Sequence, residues 1–346
     1  MTEPVAIAVF VACAAVIFVA GGRLSHYGDR IAQLSGWHGA WIGLALMASV
    51  TSLPELVVGI SSVAWVGSAD LAVGDVLGSC AINLLILASL DAFVPDRRRL
   101  FGLASKSHVL AAALGIVLLA IVGVGILTRE PWTLAPWIGG SSLAFLIIYF
   151  VSIRLIFQHF RTERDAGVGG GSVEGSPAGD VEPAARPGTL THVMGRYALF
   201  AGIVVCAALL IPSSAHTIAT ATGLQDGFVG TVFVALSTSL PELAVSIAAV
   251  RMNAIDLAVG NMLGSNLFNV LILAIDEVFY TRGLLLGEAS TTHAFTVLSV
   301  IAMSAIVVVA LTFQQQSKRY LLASDALLIL GVYVGNAALL LAMTPA

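Results

Sequence analysis

Glu55 closes the run Thr51-Ser52-Leu53-Pro54-Glu55, and Glu242 closes the identical run Thr238-Ser239-Leu240-Pro241-Glu242. Both acids lie inside long apolar stretches, where a carboxylate is costly unless a cation or a proton meets it. No Lys or Arg in either stretch could do so. A proline within a helix has no N–H and frees a carbonyl about one turn earlier. Here those carbonyls belong to Val50 and Ser237, with Ala48, Thr51, Ala235 and Thr238 close by. At membrane depth, unpaired carbonyls are tolerated where they line a cavity or coordinate an ion. With the hydroxyls of Thr51, Ser52, Thr238 and Ser239, the donors are all oxygen. Such a set suits a hard cation, and Ca²⁺ accepts about 6–8 oxygens in flexible geometry. None of the seven histidines falls within 48–93 or 235–279, the two segments that repeat, which disfavours zinc or iron.

The likeness extends beyond the pentapeptide. Residues 48–65 and 235–252 share 10 identities in 18 positions, and 70–88 and 256–274 share 13 in 19. Between these blocks the copies slip by one residue, a slip assigned to a loop near Gly67. The later block carries Gly78, Ser79 and Asn83 in one copy and Gly264, Ser265 and Asn269 in the other. Ser and Asn four apart share a helix face, and glycine lets a neighbouring helix approach. These residues are expected to add neutral oxygens beside the two acids.

The elements that must position this chemistry are membrane helices. At 58% hydrophobic and 10% charged, the chain has too few polar groups to cover a soluble globule. Its charges are spread over loops, so no nucleic-acid partner is implied. Ten spans are predicted, near 5–22, 37–65, 70–93, 107–127, 133–157, 195–219, 227–250, 255–280, 291–312 and 321–343. The first is read as a retained span, since no basic segment precedes it. Residues 158–194 are rich in Gly, Pro and Ser and read as a flexible linker. This gives a first unit at 1–157, the linker, and a second unit at 195–346. With the N-terminus outside, fourteen Lys and Arg fall in inner loops and two, Arg129 and Arg282, in outer ones. Both termini are then extracytoplasmic, the linker is cytoplasmic, and the duplicated five-helix units are inverted. The expected fold is an all-α protein of the cell membrane that places Glu55 opposite Glu242 near mid-bilayer.

The doubled motif, Thr-Ser-Leu-Pro-Glu followed by Gly-(Asn/Asp)-x-x-Gly-Ser-x-x-x-Asn, resembles the α-repeats of the cation/Ca²⁺ exchanger superfamily, in its Na⁺/Ca²⁺ exchanger-like branch. The resemblance implies a secondary antiporter exchanging Ca²⁺ for Na⁺ by alternating access, with no cofactor. It implies that Glu55 and Glu242 hold Ca²⁺ with backbone oxygens of Thr51 and Thr238. Flanking Na⁺ sites would draw on Ala48, Ser52, Ser79, Ala235, Ser239 and Ser265, with Asn83 and Asn269 near the centre. The first and sixth spans would slide across the rest. Val50 and Ser237 replace a glycine of that pattern, Asp75 and Cys80 replace asparagines, and Asn269 stands where sodium-coupled members often carry Asp. Asp75 either faces the site, adding a third acid, or caps a helix.

The alternative is Ca²⁺/H⁺ antiport, or exchange of another divalent ion. An intramembrane hydrolase is disfavoured because the acids are surrounded by hydroxyls, carbonyls and amides. A channel is disfavoured because a doubly acidic closed site binds too tightly for fast conduction. Cys13, Cys80 and Cys206 read as packing residues, and most histidines as loop or interface residues. Arg97, Arg98 and Arg99 read as a cytoplasmic anchor, and Trp37, Trp132 and Trp137 as interfacial aromatics. Asp91, Asp276 and Glu277 are expected near span ends within reach of water.

Overall fold

The computed structural model describes residues 2–34, 50–94, 98–165, 189–315, 317 and 322–343. Ala48 and Trp37 lie outside the described residues, as do 166–188 of the linker. Helix α1 spans Glu3–Leu34, α2 Leu53–Ser61, α3 Ala69–Leu90, α4 Leu100–Leu103, α5 His108–Thr128, α6 Gly140–Asp165, α7 Thr189–Ala208 and α8 Ile211–Thr222. Then follow α9 Asp226–Val229, α10 Ala235–Thr238, α11 Leu240–Arg251, α12 Ile255–Phe279, α13 Leu285–Glu288, α14 His293–Phe313 and α15 Ser324–Ala342. Among the described residues, eight helical segments are long and apolar enough to cross a membrane. A bent pair, Asp226–Thr238 with Leu240–Arg251, would make a ninth, and Leu53–Val66 is a shorter apolar helix. The protein is a helical, multi-pass membrane protein.

Several expected boundaries move. The fifth span does not begin at 133, because Thr133–Ala135 and Ile138–Gly139 pair as an antiparallel β-hairpin before α6. The sixth is divided at Leu209–Leu210, where Pro212 opens α8. Helix α6 continues to Asp165 and α7 begins at Thr189, so both ends of the expected linker are helical. The slip between the repeats is not taken up in a loop. A π-helical stretch, Ser62–Val66, extends α2 and ends at Gly67, whose φ of 75° is left-handed. A π-turn holds one more residue than an α-turn, so the extra position sits inside the helix.

Proline sets the two sharpest breaks. Ser52 (φ −84°, ψ 14°) and Ser239 (φ −81°, ψ 4°) interrupt their spans in nearly the same conformation, each just before a helix with proline in its first turn. The second break bends its span by 45°. Both breaks face α3 and α12, the innermost helices. In these, 94% and 83% of the apolar window is buried, against 22–44% in the other full-length spans. Between helices in lipid, close packing rather than water exclusion supplies the attraction. Gly78 therefore lies directly on a neighbouring backbone: a Cβ there would overlap the Thr231 carbonyl and sit 2.7 Å from Ala235 Cβ. Gly74 and Gly230 make the same contact a turn away, through the π-helical stretch Gly230–Val234 that precedes α10.

Asp91 and Glu277 do not meet water as expected; they are 2% and 1% exposed. The short helices α4 and α13 fold back over the ends of α3 and α12 and turn their N–H groups inward. Asp91 accepts from the Leu100 and Ala323 amides at 2.9 and 2.8 Å. Glu277 accepts from the Leu285 and Gly139 amides at 3.3 and 3.0 Å and from the Ser142 hydroxyl. Arg99 is more than an anchor, since it donates to the Ser317 carbonyl at 2.9 Å and lies 3.5 Å from Asp325 at the start of α15.

Replacing Gly78 by Val should lower stability by about 3 kcal/mol, as overpacking against a fixed backbone does. Gly331→Ala, with open space around it, should stay within about 0.5 kcal/mol of the parent. Thermal unfolding of the two purified variants in detergent measures the difference.

Candidate functional site

At the two breaks the repeats exchange partners. Ser52 Oγ donates to Glu242 Oε1 at 3.2 Å, and Ser239 Oγ donates to Glu55 Oε1 at 3.3 Å. Thr51 is buried beside Ser52, and the Thr238 hydroxyl lies within reach of Asp75 Oδ1 and of the Val234 and Ala235 carbonyls of its own helix. The reason for the crossed Ser–Glu pairing is local. At a proline break, the residues just before the bend face across it rather than along their own helix, so each Ser serves the acid of the other copy. Glu55, Glu242, Ser52, Ser239, Thr51 and Thr238 are all 0–1% exposed. Neither Glu55 Oε2 nor Glu242 Oε2 has a hydrogen-bond partner among the described residues.

Helices α3 and α12 supply the rest. Asp75, one turn before Ser79 on α3, is fully buried and faces the site rather than capping a helix. Its Oδ1 accepts from Thr238 Oγ1 at 3.1 Å, and its Oδ2 has no partner among the described residues. Ser79 Oγ lies 3.3 Å from the same Thr238 hydroxyl. Asn83 Nδ2 donates to Asn266 Oδ1 at 3.1 Å, and Asn266 Nδ2 donates to the Cys80 carbonyl at 3.2 Å. Cys80 and Asn266 thus face each other where α3 crosses α12, and the replacement of asparagine at 80 leaves one amide rather than two at the crossing. Ser265 Oγ and both polar atoms of Asn269 are buried and without partners among the described residues. Ala235 is buried, and its carbonyl already accepts from the Ser239 amide at 3.1 Å.

Of the expected site residues, the structure therefore gathers Glu55, Glu242, Thr238, Ser52, Ser239 and Ser79 through direct contacts. It also buries Thr51 and Ala235, with Asn83, Asn269 and Ser265 on the two central helices. Asn261, two turns before Asn269, was not singled out; it too is buried with both side-chain atoms unpartnered among the described residues. Its alignment with Asp75 in the duplicated blocks is the signal that could have marked it.

A second crossed pattern also escaped the reading of motifs. His293 Nε2 lies 3.0 Å from Asp70 Oδ1, which also accepts from the Ser290 amide at 2.6 Å. His108 Nε2 lies 3.1 Å from Asp256 Oδ1, which accepts from the Ser105 amide at 2.6 Å. The histidines are 2% and 1% exposed and pin the first turns of α3 and α12. They are not loop residues. The sequence signal is Ala-Ser-x-(Ser/Thr)-His, present at 104–108 and again at 289–293.

What the arrangement can do follows from charge. Three carboxylates, ringed by hydroxyls and amides and closed from water, are untenable as bare anions in a low-dielectric interior. Such a set suits cations, protons or both. Among the described residues no Lys or Arg is paired with Glu55, Glu242 or Asp75.

Proline-broken helices around a buried, oxygen-lined acidic centre define the class as integral membrane proteins with a polar interior. The family model described as sodium/calcium exchanger protein matches residues 5–157 and 192–342, and the chain belongs to that family. It is 31% identical over 252 residues to inner membrane protein YrbG of Escherichia coli (strain K12), covering 70% of this chain and 72% of that one. Its fold is similar to that of the H⁺/Ca²⁺ exchanger CAX, with a TM-score of 0.67 at 14% identity over 98% of this chain and 86% of the other. It is also similar to the sodium-calcium exchanger NCX_Mj soaked with Na⁺ and Sr²⁺, with a TM-score of 0.61 at 19% identity over 97% and 99% of the two chains.

Replacing His108 or His293 by Phe should cost about 1–3 kcal/mol each by leaving a partly buried aspartate short of a donor. Thermal unfolding in detergent measures the loss.

Proposed function

We propose that the protein is a secondary antiporter that exchanges Ca²⁺ for a monovalent cation, Na⁺ in the first instance, with Glu55 and Glu242 binding both ions in turn. The observation that carries this reading is the crossed pairing of Ser52 with Glu242 and Ser239 with Glu55, which leaves one buried oxygen of each acid without a hydrogen-bond partner among the described residues. Two carboxylates neutralise one Ca²⁺. Thr51 and Thr238 would add backbone oxygens to that ion. Ser52, Ser79, Ala235, Ser239, Ser265 and Ala48 would serve flanking monovalent ions, with Asn83 and Asn269 near the centre.

Asp75 adds a third negative charge, which matters because Asn269 supplies none. Three monovalent cations balance three acids in one half of the cycle. In the other half, Ca²⁺ leaves one acid over for a proton or a monovalent ion. Hydroxyl and amide donors arranged around acids suit such ligand exchange, and no redox or covalent step is called for.

The ten-span arrangement with two inverted five-helix units, 1–157 and 195–346 joined by 158–194, is part of the same proposal. The matching breaks at Ser52 and Ser239 and the two crossed histidine pins support it, since each needs equivalent segments facing one another. The charge of the loops favours both termini outside and the linker in the cytoplasm. Helices α1 and α7 pack on each other over much of their length, and Gly21 of α1 rests on the Pro241 ring. A pair seated on the breaks could slide to expose the site to one side or the other.

In proteoliposomes, an imposed Na⁺ gradient should drive uptake of radioactive Ca²⁺, and an H⁺ gradient should do so if protons are the coupling ion. Absence of flux with either gradient would overturn antiport. Glu55→Gln or Glu242→Gln should abolish Ca²⁺ uptake. Asp75→Asn should keep Ca²⁺ binding within about tenfold, equivalent to about 1.4 kcal/mol, while changing the number of monovalent ions moved per Ca²⁺. An unchanged ratio would remove Asp75 from the coupling.

A further inference from the structure

Asp276 is the buried acid that neither the site nor the capping of the helices uses. It lies on α12, eleven residues beyond Ser265 and so about 16 Å further along the helix axis. It was expected within reach of water, yet it is 0% exposed, and neither carboxylate oxygen has a hydrogen-bond partner among the described residues. Its neighbour Glu277 has three donors and Asp91 has two. Asp70 and Asp256 have a histidine each.

The carboxylate is seated on bare backbone. A Cβ built on Gly59 would overlap both of its oxygens, so any larger residue at this position on α2 would have to displace the carboxylate. Gly59 is one turn beyond Glu55 on the same helix. The π-helical stretch that follows packs on α12, and its Ser62 hydroxyl is buried and unpartnered among the described residues.

The feature is one-sided. In the aligned repeats, Leu90 stands in place of Asp276 and Ser246 in place of Gly59. Symmetry therefore explains the central acids and not this one. Burying a lone carboxylate is costly unless its charge is removed or matched, and one acid matches one monovalent charge.

We propose that Asp276 and the Gly59 backbone form an additional binding site for a single monovalent cation, Na⁺ or a proton, beside the central acids on one face only. With the N-terminus outside, α2 runs outward from Glu55 to Gly59, and this is the extracytoplasmic face. The site then stands between the central acids and the extracytoplasmic end of its helix. That sidedness rests on the antiport reading and its topology, whereas the occupancy of Asp276 does not.

The test compares the purified full chain carrying Glu55→Gln and Glu242→Gln with the same chain carrying Asp276→Asn in addition. Infrared spectra should lose a protonated-carboxyl band that Ca²⁺ does not alter, which identifies the proton. Alternatively, binding of radioactive Na⁺ should fall by one equivalent, which identifies sodium. Gly59→Ala, placing a methyl where the carboxylate sits, should reproduce the loss in the otherwise parental chain. If neither signal changes with Asp276→Asn, the proposal is overturned. Since both signals are read without transport, a parent that binds here but shows no gradient-driven Ca²⁺ flux would count against antiport alone.

Discussion

A carboxylate sealed from water inside a membrane has to be matched by positive charge, and most of this structure can be understood as the means of bringing Glu55, Glu242 and Asp75 together without a permanent cation of the protein's own. A resident Lys or Arg would stabilise the acids and also occupy the place of a mobile ion. Neutral hydroxyls and amides instead give partial relief. Ser52, Ser239 and Thr238 each donate one hydrogen bond and leave at least one carboxylate oxygen open on every acid. The centre is therefore held in shape yet remains short of charge, which is the condition for reversible ion binding.

The proline breaks make this possible. A straight helix directs its Ser and Thr hydroxyls to its own carbonyls a turn back, as Ser237 does toward Val234 at 2.7 Å. At Ser52 and Ser239 the interruption turns the hydroxyls across to the opposite segment. Close glycine contacts between α3 and the helix broken at Ser239 then fix how near the acids lie. Further out, the crossed His–Asp pairs tie the first turns of α3 and α12 to the following spans. The same duplicated sequence supplies the acids, the breaks and the pins, so the Ser–Glu and His–Asp contacts each appear twice with the partners exchanged.

Departures from that doubling are where this chain is individual. Asp75 has Asn261, Cys80 has Asn266 and Asp276 has Leu90 as its counterpart in the other repeat. Asp75 brings a third charge to a centre in which both Asn83 and Asn269 are neutral. Cys80 occupies a crossing point where two amides would compete for one space. Asp276 lies against Gly59, outside the doubled set of contacts altogether. An ion path with different acids on its two sides need not load and release in the same way from each.

The sequence by itself determined the membrane class, the duplication and the identity of the central acids. Glu55 and Glu242 were legible because a charged residue after proline in an apolar run is rare, and seeing it twice in matching surroundings ties the two together. Helix ends were less legible: the hairpin at Thr133–Gly139 and the division at Leu209–Leu210 arise in stretches as apolar as the spans they interrupt, and hydropathy records composition rather than backbone path. Only the tertiary structure decided where Asp75, Asp91, Asp276 and Glu277 stand. Near a span's end, an acid can meet water, a folded-back N–H group or nothing, and which occurs depends on the neighbouring segment. Asp91 and Glu277 found amides because α4 and α13 turn over them, while Asp276 met only Gly59, a contact between residues 217 positions apart that no local pattern encodes.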